Sequence, residues 1–262
     1  MTGKDILLKV RELKQSGKKV KSNCFLPFQA DLEREWETDQ SEESILIREY
    51  EGGATRLYFY TTDFEDLKKI VETIPKETVV EIVAKDKEEL HQEMESMGFM
   101  PLAFMMRVSN RDVSPVLAAG KKDSQRAEGH PAVSKDAQDI YDLLVETFDT
   151  RISHLPSMDE VLQAIDRQEF VLVRGEKQKI DSLLQCQVTP RSYYVNQIIN
   201  RGEKDRFHAM MVHSLSNYCS SGGKYAYAWV DEKNLPSLKF FEKYGMKFDG
   251  TWNVVYVSEK KE

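Results

Sequence analysis

Apolar positions along the chain switch between a period near 3.6 and a period near 2, so the pattern predicts a mixture of helices and strands. Ile6, Leu7, Val10 and Leu13 share one face of a helix over 5–14. Alternating runs over 45–50 and 56–60 flank Gly52-Gly53 and predict a hairpin, because glycine tolerates the positive φ of a tight turn. Asp63 is placed to cap a helix that runs to Ile74 and stops at Pro75. A β-branched strand over 79–84, a helix over 87–97 closed by Gly98 and a strand over 99–108 follow.

The later half has a similar grammar. Ile140, Leu143, Leu144 and Phe148 line a helix that starts at Asp136, and a second helix covers 158–167. Strands over 170–174, 180–189 and 193–199 are separated by Gly175 and Pro190. Then come a helix over 205–218, a strand over 225–230, a helix over 235–244 ended by Gly245, and a closing hairpin within 248–257. This is a mixed α/β order, without the strict alternation of a doubly wound sheet. Polar, aperiodic sequence near 109–129 marks a linker at 111–130, with the apolar stretch 113–119 docking on a surface. The expected domains are 1–110 and 131–262, both of ordinary size. Laid side by side, 81–99 and 227–246 repeat one order: strand, acidic turn, helix, glycine, strand. Two copies of one α/β unit are therefore expected, each helix ended by a glycine free to take the left-handed cap.

Composition narrows the function. The 262 residues carry 37 Lys+Arg against 44 Asp+Glu, a net charge of −7, which disfavours generic binding to nucleic acid or an anionic membrane. With 40% hydrophobic residues the chain can bury a core, and no apolar run approaches the ~18–20 residues of a membrane span. The first residues lack the order of a signal peptide. Cys24, Cys186 and Cys219 are widely spaced, and the five histidines form no metal-ligand pair. A cytoplasmic, metal-free protein is expected.

The segment Asn234-Leu235-Pro236-Ser237-Leu238-Lys239-Phe240-Phe241-Glu242-Lys243-Tyr244-Gly245-Met246 resembles the late motif of the GNAT family of acyl-CoA-dependent N-acyltransferases. The surrounding element order fits over roughly 132–257, and the N-terminal half resembles a second, eroded copy. The resemblance implies a fold of two GNAT-like mixed-sheet units in tandem. It implies acetyl-CoA as cosubstrate, with its pantetheine lying along a strand edge at Gln197, Ile198 and Ile199. The pyrophosphate would sit at the helix start formed by Arg201, Gly202, Lys204 and Arg206, where free amides and the helix dipole attract anions. Asn234, Ser237 and Phe241 of the late motif complete the implied cofactor set.

The sequence departs from that family at points that matter. Lys204 and Arg206 stand where the phosphate loop usually has small residues, so their charges take over part of the binding or their bulk blocks it. The corresponding N-terminal stretch, 61–66, is acidic and should repel a pyrophosphate. Phe241 replaces the usual proton-donating tyrosine, which leaves Tyr244 as the candidate acid and Asn196 as the polar group on the central strand, where no glutamate is present. His208 and His154 are weighed as site histidines against a solvent-facing role, and Cys186 as a small core residue. The expected activity is acyl transfer to the amine of a small molecule or peptide. The alternatives are a non-catalytic module that binds CoA or a protein, and an aminoacyl-tRNA-dependent transferase, which the net charge disfavours.

Overall fold

Short-range capping chemistry sets many element boundaries in the computed structural model, which describes residues 1–24, 32–51, 53–74, 77–115, 117, 129–175 and 178–258. In chain order the elements are α1 (Gly3–Gln15), β1 (Lys21–Ser22), β2 (Glu37–Gln40), β3 (Ser44–Glu51), β4 (Ala54–Thr61), α2 (Phe64–Val71), β5 (Thr78–Ala84), α3 (His91–Ser96) and β6 (Phe99–Asn110). They continue with β7 (His130–Pro131), α4 (Ala137–Thr147), α5 (Met158–Asp166), β8 (Phe170–Arg174), β9 (Ile180–Val188), β10 (Tyr193–Asn200), α6 (Lys204–Ser220), β11 (Ala226–Asp231), α7 (Leu235–Glu242) and β12 (Lys247–Ser258). Thr2 with Asp5 and Ser157 with Glu160 form reciprocal capping boxes at α1 and α5. Asp63 caps α2 through the Glu65 amide. Each such cap contributes about 1 kcal/mol.

The chain forms two compact units. The first comprises Met1–Phe104, Thr150–His154 and the described residues from Trp252 on; the second comprises Met105–Asp149 and Leu155–Thr251. In the first unit β3 pairs antiparallel with β2 and β4, and β4 pairs parallel with β5. The end of β12 pairs antiparallel with β5, from Trp252↔Ala84 to Val257↔Val79. Ile6, Val10 and Leu13 of α1 pack on Ile45, Ile47 and Tyr58. On the other face, Leu67 and Met94 of α2 and α3 pack on Leu46, Leu57, Phe59, Val80 and Ile82.

In the second unit β6 and β11 are antiparallel, β11 and β10 parallel, and β10, β9, β8 and β7 successively antiparallel. One face carries α6 and α7, whose Phe207, Met211, Leu215 and Phe241 join Leu184, Cys186, Val195, Ala228 and Val230. The other carries α4 and α5, whose Ile140, Leu144 and Val161 join Phe170, Leu172, Leu183 and Ile199. Full burial of a side chain such as Leu215 contributes about 1.5–3 kcal/mol.

Two expectations need correction. The helix expected over 87–97 is only His91–Ser96, because Leu90 takes a left-handed conformation with φ 65° and the chain turns before it. Residues 248–257 form no hairpin but lie within the single strand β12. Asp136 does stand at the start of its helix, immediately before Ala137, and it is buried there, with Oδ1 2.6 Å from Arg174 Nη2. Gly98 and Gly245 do end their helices with φ 83° and 67°, as the repeat implied. Gly52, Pro75 and most of the expected linker (116 and 118–128) lie outside the described residues. Val113 and Leu117 beside it are buried in the core of the second unit.

Candidate functional site

The second unit opens between its two parallel strands. β10 pairs with β11 at Tyr193↔Ala226, Tyr194↔Tyr227 and Val195↔Ala228, and the pairing ends there. On its other side β10 pairs with β9 throughout, but Val195↔Cys186 is followed by Gln197↔Gln185, which leaves Asn196 as the extra residue of a bulge. A bulge bends and twists its strand, which turns β10 away from β11. β11 meanwhile stays with β6 as far as Asp231↔Met105. Among the described residues no strand pairs the β11 side of β10 at Gln197, Ile198 or Ile199. Those backbone groups are placed to pair with an extended ligand.

Below the opening, β10 leads into α6. The Arg201 amide donates to the Asp181 carbonyl at 2.7 Å, and the Gly202 amide to Asn200 Oδ1 at 3.2 Å. A Cβ on Gly202 would come within 3.2 Å of the Asp181 Cβ, so glycine suits this turn. Glu203 begins α6 without a side-chain cap, which leaves the first-turn amides to solvent or an anion. Lys204 is exposed and has no ion-pair partner among the described residues. Arg206 Nε lies 3.5 Å from Glu203 Oε2, and Arg201 reaches Glu146 at 3.3 Å.

Aromatic side chains tie α6 to α7. Phe207 and Phe240 lie 5.2 Å apart, Phe240 meets both Phe241 and Tyr244, and the Tyr244 hydroxyl is 2.5 Å from His208 Nδ1. Burial pushes the Tyr244 phenol well above its ordinary range, so it stays protonated and able to donate. Phe241 is buried in the same core. Asn234 and Ser237 serve the helix itself, because Asn234 Oδ1 accepts from the Ser237 amide at 3.1 Å.

On the opposite face of β10 the polar groups form a chain. The Tyr194 hydroxyl donates to Asn196 Oδ1 at 3.1 Å, and Asn196 Nδ2 donates to Gln185 Oε1 at 3.1 Å. The carboxamide of Asn196 is thus engaged at both ends. Tyr194 stacks on Tyr227 at 4.7 Å. Gln197 is 4% exposed, and neither its Nε2 nor its Oε1 has a hydrogen-bond partner. Cys186 is a core residue, its thiol pushed up to about 12 by burial.

The structure therefore brings Asn196, Gln197, Ile198 and Ile199 to the opening, and Arg201, Gly202, Lys204 and Arg206 to the start of α6. It spends Asn234 and Ser237 on a cap and buries Phe241. His208, weighed as solvent-facing, is instead the partner of Tyr244. Gln185 was missed; the signal was a glutamine inside the otherwise apolar run 183–186. His154 belongs to the first unit. Its ring nitrogens lie 2.7 Å from Glu51 and 2.6 Å from Glu81, and Arg56 Nη1 lies 2.6 Å from the same Glu81 oxygen.

The first unit has an opening of the same kind, but it is filled. β4 and β5 pair only at Thr55↔Thr78 and Arg56↔Val79. Further along, β1 pairs with β4 at Lys21↔Thr61 and Ser22↔Tyr60. Between those rungs the buried Asn23 side chain donates to the Leu57 carbonyl at 3.0 Å and accepts from the Phe59 amide at 2.8 Å. The chain itself takes the backbone groups that a ligand would use.

Neither a protein-family model nor a curated protein sequence matches the chain. Among solved structures it is similar to a GCN5-related N-acetyltransferase from Sphaerobacter thermophilus, at 14% identity over 83% of this chain and 81% of that one, TM-score 0.54. It is similar to a tandem GNAT protein from the clavulanic acid biosynthesis pathway, at 10% identity over 83% and 79%, TM-score 0.53. A third likeness is to the GCN5-related glucosamine N-acetyltransferase region of a fungal multi-domain GH3 β-N-acetylglucosaminidase, at 10% identity over 82% of this chain and 31% of that one, TM-score 0.56. The fold is that of the GCN5-related N-acetyltransferases, in two units. Among the described residues no group of three or more His, Cys, Asp or Glu side chains is disposed to hold a metal, and no helix is long and apolar enough to cross a membrane.

Proposed function

We propose that the chain is an acetyl-CoA-dependent N-acyltransferase whose second unit carries the active site and whose first unit is its degenerate copy. The observation that carries this reading is the end of β10–β11 pairing at the Asn196 bulge, directly before a basic helix start. The thioester supplies the acyl group. Backbone groups of Gln197, Ile198 and Ile199 would align its pantetheine arm, and Lys204 and Arg206 with the amides of α6 would hold its phosphates. Arg201 and Gly202 shape that turn. Tyr244, with its hydroxyl fixed by His208, holds a proton for the departing thiolate. Asn196, anchored by Tyr194 and Gln185, orients the acceptor, which is a small molecule or peptide with a free amine. Alignment of amine and thioester is the main source of rate. Three cysteines, none of them in a disulfide, fit a reducing compartment, in keeping with a cytoplasmic protein.

A non-catalytic, CoA-binding module is the second reading, favoured by the buried Phe241 and the lack of any carboxylate on β10. Acetyl-CoA should raise the melting temperature by linkage, by about 2.7 kcal/mol of stability at a hundredfold excess over Kd. Replacing both Lys204 and Arg206 with alanine should remove most of that shift. Tyr244→Phe should lower kcat for thiol release by about 10²–10⁴-fold while the acetyl-CoA shift persists. Acetyl-CoA binding without thiol release across an amine panel selects the module; no shift at millimolar acetyl-CoA rejects both readings.

A further inference from the structure

A buried polar side chain with no partner is uncommon in a folded protein, and each instance calls for an explanation. Gln197 is such a case twice over. Its donor and its acceptor are both enclosed, and neither is satisfied. The register of β10 against β9 fixes where it faces. Ile198 and Leu184 pack with the cluster of α6 and α7, whereas Ile199 and Leu183 pack with that of α4 and α5. Gln197 and its cross-strand neighbour Gln185 therefore face the α4–α5 side, away from the basic start of α6. Gln185 Oε1 accepts from Asn196, and Asn196 Oδ1 from Tyr194, so this chain of amides runs past Gln197 without bonding to it.

We infer that the carboxamide of Gln197 pairs with a secondary amide of the acceptor, its Nε2 donating to the ligand C=O and its Oε1 accepting from the ligand N–H. The acceptor is then an amine that carries a peptide group, as an N-terminal peptide does. This rests on the proposed acyl transfer for the word acceptor, though the amide site stands on the geometry of Gln197. No carboxylate or cation lies on β10, which suits a neutral amide rather than a second charge. A pantetheine arm also contains secondary amides, but the facing of Gln197 away from α6 assigns it to the acceptor.

Isothermal titration of the wild type and Gln197→Met with glycylglycinamide, n-propylamine and acetyl-CoA tests this. Loss of two neutral hydrogen bonds should weaken glycylglycinamide about tenfold, with n-propylamine and acetyl-CoA unchanged. Gln197→Met should melt no lower than the wild type, because it removes an unsatisfied buried amide. The inference is overturned if the wild type does not bind glycylglycinamide, if both proteins bind it equally, or if the loss falls on acetyl-CoA alone. A melting temperature well below wild type also overturns it, since Gln197 would then be holding the fold. If glycylglycinamide binding depends on Gln197 while acetyl-CoA never binds, acyl transfer falls and the amide site remains.

Discussion

The two units part their parallel strands in the same way and then treat the opening oppositely. In the first, β4 leaves β5 after two rungs, and the chain lays β1 and the Asn23 amide along the freed edge. In the second, β10 leaves β11 after three rungs at a bulge, and among the described residues no strand follows. The charges differ as well. Beside the first opening, Glu51 and Glu81 are matched by Arg56 and His154, and the helix that follows begins with Glu65 and Asp66. The second has uncharged amides on its strand and Lys204 and Arg206 on its helix. Every hydrogen bond that a unit makes to itself at such an edge is one that it cannot offer to a ligand. By that rule the edge of β4 is closed by its own chain, and that of β10 is left open to a ligand.

The comparison can be broken from the first unit. Arg56 is 2% exposed and bridges Glu51, Glu81 and the Thr150 carbonyl, so Arg56→Ala removes a buried cation and leaves both carboxylates to share His154. It should cost about 3–5 kcal/mol of stability in urea unfolding. Asn23→Ala leaves the Leu57 carbonyl and the Phe59 amide without their partner and should cost about 1–3 kcal/mol, with no change in acetyl-CoA affinity. If that variant gains acetyl-CoA binding in the first unit, the edge was closed only by its own chain.

His154 gives the smallest effect. Burial opposes its charge, but the hydrogen bonds to Glu51 and Glu81 prevail and hold its pKa up to about 9. Its contribution is complete below the unfolded value near 6.5 and is lost as pH rises through about 9. Its side chain is 43% exposed, so the gain is screened to about 1 kcal/mol or less. Between pH 6.5 and 9.5 the wild type should lose more stability than His154→Gln; equal losses would remove His154 from the network.

Local signals carried much of this fold. The glycines at 98 and 245, the alternation of 193–199 and the cap at Asp63 are short-range features that the sequence displays openly; the caps at Thr2 and Ser157 were equally local and were passed over. The pattern alone placed the next helix from about 205, and it was the family resemblance that pointed to 201–206 as its start. What the sequence hid depends on pairings between distant positions. Asn23 reaches Leu57, His154 reaches Glu81, and Trp252 to Val257 pair with a strand about 170 residues earlier. Tyr244 was visible as a candidate, but its partner His208 lies 36 positions away. The bulge at Asn196 was also invisible, since it exists only in register with Cys186 and Gln185.

Hydrogen–deuterium exchange with and without acetyl-CoA examines the contrast between the units in one experiment. Backbone amides over 196–206 should gain protection on binding, and those over 55–66 should not change. Protection at 55–66 in place of 196–206, or none in either segment at saturating acetyl-CoA, would contradict the account.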